Sequence, residues 1–185
     1  MPFELEELSI PGLKLLKPRV FEDHRGYFKE LFKASALSSF GIFENFVQDN
    51  LSFSRRGVLR GLHYQREPFA QGKLVSCLQG RIFDVAVDIR PHSPYFGKWI
   101  ALELSEENHY LLYIPPGFAH GFQVLSEKAL VWYKCTSEYA PDYEGGIIWN
   151  DPDLNINWPL KDPILSPRDA SWPSFKESLR DANPD

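Results

Sequence analysis

Prolines fall too often along this chain for long helices to form. There are 15 among 185 residues, most of them single and scattered between short apolar runs. A proline inside a helix removes a hydrogen bond and clashes with the preceding turn, whereas turns and strand edges accept it. The runs themselves alternate. In Arg81–Arg90 (RIFDVAVDIR), Phe83, Val85, Val87 and Ile89 share one face while Asp84, Ala86 and Asp88 occupy the other. Lys98–Leu104 repeats this with Ile100, Leu102 and Leu104. Tyr110–Ile114, Gly121–Leu125 and Ala129–Cys135 follow, between turn signals such as Pro115-Pro116-Gly117 and Ser126-Glu127-Lys128. This spacing predicts an all-β sandwich or barrel rather than βαβ units. Helical signals are confined to Lys33–Phe40 and to the stretch after Pro173, where Ser174 and Glu177 have capping-box spacing. Both helices are expected at the periphery.

The length fits one domain, 1–185, better than two. With 43% hydrophobic and 24% charged residues, the chain is not globally disordered. Twenty basic residues against 25 acidic give a net charge of -5, the wrong sign for a general nucleic-acid binder. No run of eighteen apolar residues is available to span a membrane. The opening MPFELEELSI is acidic and does not read as a secretory signal, so the sequon Asn50-Leu51-Ser52 is read as accidental. Two cysteines, Cys77 and Cys135, make no disulfide framework. The expectation is a soluble, cytoplasmic, single-domain protein.

A polar side chain on an inward face of a β-barrel needs an explanation. Four stand out: His63 in RGVLRGLHYQ, Lys73 opening KLVSCLQ, His120 after the PPGFAH turn, and Tyr133 on the same face as Val131 and Cys135. Their spacing resembles the two cupin signatures, which deliver three histidines and a glutamate to a metal. Gly57 and His63 fit the first signature, but Gln65 replaces its second histidine. Gly80 fits its closing glycine, while Lys73 stands where the glutamate belongs. Pro115-x-Gly117-x-x-His120 fits the second signature, without its leading glycine (His109) or trailing asparagine (Val124). A cationic ammonium in place of an anionic ligand repels a divalent cation and offers no lone pair. The expected fold is therefore a cupin-type jelly roll, a double-stranded β-helix barrel, with no metal and a proton-transfer site in its place.

Taken together, RGVLRGLHYQ, QGKLVSCLQGRIFDVAVDIR, PPGFAHGF and YKCTSEY closely resemble the dTDP-4-dehydrorhamnose 3,5-epimerase family. The likeness runs from FEDHRGYFKE at Phe21–Glu30 to SPRD at Ser166–Asp169. It implies a dTDP-linked 4-keto-6-deoxyhexose as substrate, with protons at C3 and C5 both α to the ketone. No cofactor is then needed, only a base, an oxyanion donor and an acid on the other ring face. The resemblance implies His63 as base, oriented by Asp169; imidazole titrates at about 6.5, close to working pH. Lys73 would face the C4 oxygen, and Tyr133 would return a proton. Arg25, Arg60 and Arg168 are implied in gripping the diphosphate, which a planar guanidinium can bind through two oxygens. Glu30, Gln48, Asn50, His120 and Glu144 are implied as further substrate contacts, and Tyr139 as the ring that stacks on thymine. His120 could equally polarise the pocket wall.

One local problem tests this reading. Arg60 and His63 are an odd number of residues apart, so an ideal strand points them to opposite faces. Gly61 should then mark a bulge or bend, or Arg60 should reach round the rim. The resemblance also implies a homodimer in which an N-terminal strand joins the partner's sheet, with the N-terminal strands to about residue 50 taking part. Residues near Phe21–Glu30 would complete the neighbour's pocket. Rival readings are a single-site epimerase, a metal-dependent cupin enzyme, and a non-catalytic sugar-binding module.

Overall fold

The alternating runs become two facing antiparallel sheets. The computed structural model describes residues 1–180; the final five residues of the expected C-terminal tail, about 160–185, lie outside the described residues. Strands β1 (Phe3–Glu7), β2 (Lys14–Pro18), β5 (Gln48–Arg55), β7 (Lys73–Gln79), β10 (Leu111–Ile114) and β12 (Lys128–Cys135) form the first sheet, in the order β1-β2-β10-β7-β12-β5. Strands β6 (Leu59–Gln65), β8 (Arg81–Asp88), β9 (Trp99–Ser105), β11 (Phe118–Val124) and β13 (Glu144–Gly146) form the second, in the order β13-β6-β11-β8-β9. A separate hairpin pairs β3 (Val20–Asp23) with β4 (Gly26–Lys29). This is the all-β jelly roll of the cupin type that the motif spacing predicts.

The barrel interior is apolar at one end. There Leu15, Val75, Leu112 and Val131 of the first sheet meet Ile82, Ala86, Phe118 and Phe122 of the second. At roughly 25 cal/mol per Å² of apolar area, each of these side chains other than Ala86 contributes about 1.5–3 kcal/mol. The alternation in β8 has an unexpected use. Its apolar face, Val85, Val87 and Ile89, packs outward under Leu154, Phe175 and Leu179 of the C-terminal segment. Asp84 and Ala86, on its other face, are also fully buried. A covered strand is buried on both sides, and the polar face is the one turned into the barrel.

Both helices are short and peripheral: α1 is Ala34–Ser39 and α2 is Phe175–Ser178. The Ser174 hydroxyl accepts from the Glu177 backbone N–H while the Glu177 carboxylate reaches back to Ser174, completing the capping box. Strand β11 begins at Phe118, three residues before the expected Gly121, because Phe118 and Ala119 already pair with Asp88 and Val87. Strands β1 and β2 stay in the chain's own sheet. The hairpin of residues 20–29 forms a separate two-stranded sheet. Among the described residues no helix is long and apolar enough to cross a membrane.

Candidate active site

The polar end of the barrel holds a cavity of about 240 Å³. His63, Lys73, Tyr133, Tyr139, Glu144, Gln48 and Asn50 line it, all foreseen from sequence, together with Gln65, Gln71 and Cys135. His63 comes from one sheet, Lys73 and Tyr133 from the other, so the cavity has two chemically different walls.

A bulge aims His63. Across β6 and β11, His63 faces His120 whereas Arg60 faces Phe122, so β6 carries one residue more than β11 between these pairs. Gly61 supplies it, at φ 121°, with a hypothetical Cβ only 2.6 Å from the Gly121 Cα. Only glycine fits both the dihedral and the space. The His63 Nε2 lies 2.5 Å from Asp169 Oδ1. Facing a carboxylate, Nε2 of the neutral ring carries the proton, and Nδ1 keeps its lone pair, with no hydrogen-bond partner among the described residues. Burial alone would raise the Asp169 carboxyl, but hydrogen bonds from His63, Trp172 and Ser166 outweigh it and hold it below the usual range.

Lys73 is 9% exposed and, among the described residues, no carboxylate pairs with its ammonium. Burial lowers its proton affinity, with Cys135 and Asp84 opposing. Its Nζ lies 6.0 Å from the centre of the Tyr133 ring. Cys135, two residues beyond Tyr133, faces Lys73 directly across β7 and β12. Burial pushes the Tyr133 phenol upward, with the Arg60 charge opposing it. The site therefore offers a base backed by a carboxylate, a sequestered ammonium and a neutral phenol.

At the mouth, Arg168 forms an ion pair with Glu144, whose carboxylate also accepts from the Tyr139 hydroxyl at 2.8 Å. The Gln48 side chain accepts from the Tyr139 backbone N–H and donates to Asn50 Oδ1. Other sequence candidates lie elsewhere. His120 sits behind the cavity wall, 6% exposed, its Nε2 2.8 Å from Asp84 Oδ1. Burial drives its proton affinity down, against the pull of Asp84. Arg60 is exposed and does not line the cavity, its Nε donating to Ser54 Oγ at 3.0 Å. Arg25 and Glu30 do not line this chain's cavity at all, because the hairpin that carries Arg25 and leads into Glu30 leaves the barrel. Arg25 is instead tied to Asp23, and Glu30 pairs with Lys33 at 3.6 Å. Asp84, Ser166 and Trp172 were not foreseen. Among the described residues, no group of three or more His, Cys, Asp or Glu side chains is arranged to hold a metal.

The sequence profile of the dTDP-4-dehydrorhamnose 3,5-epimerases matches residues 7–177. The chain belongs to this epimerase family. It is 52% identical to the dTDP-4-dehydrorhamnose 3,5-epimerase of Pseudomonas aeruginosa, over 92% of this chain and 95% of that one. Among solved structures it is similar to the dTDP-6-deoxy-D-glucose-3,5-epimerase of Legionella pneumophila, in complex with dTDP-4-keto-L-rhamnose. That likeness has 49% identity and a TM-score of 0.90, over 93% of this chain and 92% of that one. A 3'-monoepimerase from Streptomyces bikiniensis, in complex with dTDP-quinovose, shares 36% identity at a TM-score of 0.86, over 95% of this chain and 89% of that one. As an epimerase, the chain is an isomerase, and its polar barrel end is the natural place to seek the chemistry.

Proposed function

We propose that this epimerase inverts C3 and C5 of dTDP-4-keto-6-deoxy-D-glucose, giving dTDP-4-keto-L-rhamnose through enolate intermediates. The observation that carries the reading is the His63–Asp169 pair facing a cavity whose opposite wall bears Lys73 and Tyr133. His63 Nδ1 removes a proton α to the C4 ketone. The C–H electrons form the C3–C4 or C4–C5 enolate, and its oxygen charge is met by the Lys73 ammonium. The Tyr133 hydroxyl then protonates the same carbon from the other face. The phenolate regains a proton from water, and His63 loses its own to solvent. Asp169 keeps the imidazole in the required tautomer and stabilises the imidazolium formed. No step in this sequence transfers an electron, so no redox cofactor enters it.

Tyr139 would stack on the thymine, with Gln48, Asn50, Glu144 and Arg168 around the nucleotide; their cluster at the cavity mouth supports this. His120 would act from behind the wall, and Arg60 from the rim. Arg25 and Glu30 would serve a neighbouring copy's cavity in a homodimer. Support comes from the hairpin, which exposes Phe21, Tyr27 and Phe28, and from β5, an edge strand exposing Leu51 and Phe53. Two free, buried cysteines suit a reducing compartment, so the proposed location is the cytoplasm.

A second reading, epimerisation at one carbon only, is favoured by the likeness to the Streptomyces monoepimerase. Turnover of dTDP-4-keto-6-deoxyglucose in deuterated water, followed by NMR, separates the two. Double epimerisation places solvent deuterium at both C3 and C5; deuterium at one carbon alone rejects it. His63→Ala is expected to abolish exchange at both carbons. Tyr133→Phe should spare some exchange while impairing completed inversion at C5.

A further inference from the structure

We propose that Trp172 is a positioning residue for the His63–Asp169 pair, its indole fixing the carboxylate that orients the base; this rests on His63 being that base. The Trp172 Nε1–H donates to Asp169 Oδ1 at 3.1 Å, the same oxygen that His63 Nε2 meets at 2.5 Å. The indole also stands edge-on to the imidazole, with ring centres 6.0 Å apart at 69°. The Arg168 guanidinium covers its face at 5.3 Å. A seat is built for it. Gly146 lies directly opposite His63 across β13 and β6, and a Cβ there would fall 2.2 Å from Trp172 Cδ2. The indole thus fills the space of a missing side chain beside the base.

Two donors on one oxygen do two things. They stop the carboxylate rotating without breaking both bonds, which keeps the imidazole aimed. They also share its charge, so less of it is left to stabilise the imidazolium formed when His63 takes a proton. Removing the indole N–H should therefore loosen the base and make it protonate more readily. The other groups facing His63 stay in place: His120 from β11, Lys73 from β7, Tyr133 from β12, and Glu144 from β13 with its Arg168 partner.

The test compares pH profiles of kcat/KM for the wild type, Trp172→Phe and Gly146→Ala, with melting temperatures and dTDP affinity recorded for each. Phenylalanine keeps an aromatic ring over Gly146 and under Arg168 but has no N–H. Its acid limb should move to higher pH by about half a unit, with kcat reduced severalfold and dTDP affinity within about twofold. Gly146→Ala keeps the indole but dislodges it, and should move the limb the same way. An unmoved limb in Trp172→Phe, whether activity is normal or uniformly reduced with a lowered melting temperature, overturns the proposal, since losing a donor to the carboxylate must change how readily the paired imidazole protonates. Wild-type deuterium exchange in His63→Ala is a separate result and rejects the base assignment instead.

Discussion

At the scale of single residues, Lys73 is a charge held against stability. Its amine is sequestered without a carboxylate partner, and burial outweighs the attractions of Cys135 and Asp84. Because the folded amine gives up its proton below the usual 10.5, the charged form opposes folding, and stability returns as pH climbs through the folded value toward 10.5. Lys73→Met is therefore expected to melt at least about 2 °C higher at pH 7 while kcat drops by about 10²–10³. Calorimetry and steady-state kinetics on one preparation check both; a lower melting temperature contradicts the argument. Lys73 was legible in sequence because a cationic residue stood in an anionic register. His63 and Tyr133 followed from the inward face and the resemblance. Asp84 and Trp172 were not legible. The first sits on a strand whose apolar alternation points away from the barrel. The second reaches Asp169 through loop geometry that no periodicity reports.

Among the elements, β6 carries the most consequence. The odd separation of Arg60 and His63 called for a bulge or bend at Gly61 or for an Arg60 reaching round the rim, and β6 does carry an extra residue there. Gly61→Ala must accommodate a Cβ 2.6 Å from the Gly121 Cα at a φ of 121°. It should cost more than about 2 kcal/mol and disable His63 even where the variant folds. Urea titration beside a deuterium-exchange assay measures both effects, and near-wild-type stability would falsify the steric account. Element identities were readable wherever residues alternated or a cap was spelled out, as at Ser174. Boundaries were less so: β11 starts early because its pairing with β8, not its own composition, sets where it begins.

For the whole molecule, the cavity is assembled from distant parts of the chain, with the Asp169 partner 106 residues from His63. Such closure depends on the complete barrel, and motif order along the chain could reveal it only through resemblance. The hairpin at 20–29 poses the remaining question of scale, since Arg25 and Glu30 stand outside their own cavity. If they complete a neighbour's site, Arg25→Ala and His63→Ala are each inactive alone. Mixed and refolded together, they should recover roughly a quarter of wild-type activity, through mixed pairs having one intact site. No recovery, with differently tagged copies co-purifying as mixed pairs, rejects the arrangement. Separate mountings for the imidazole and the phenol carry a last consequence. If proton removal and proton return fall to them as proposed, a change confined to one sheet can silence delivery from one side and leave abstraction from the other running. Such a lineage can narrow from two stereocentres to one without rebuilding its scaffold.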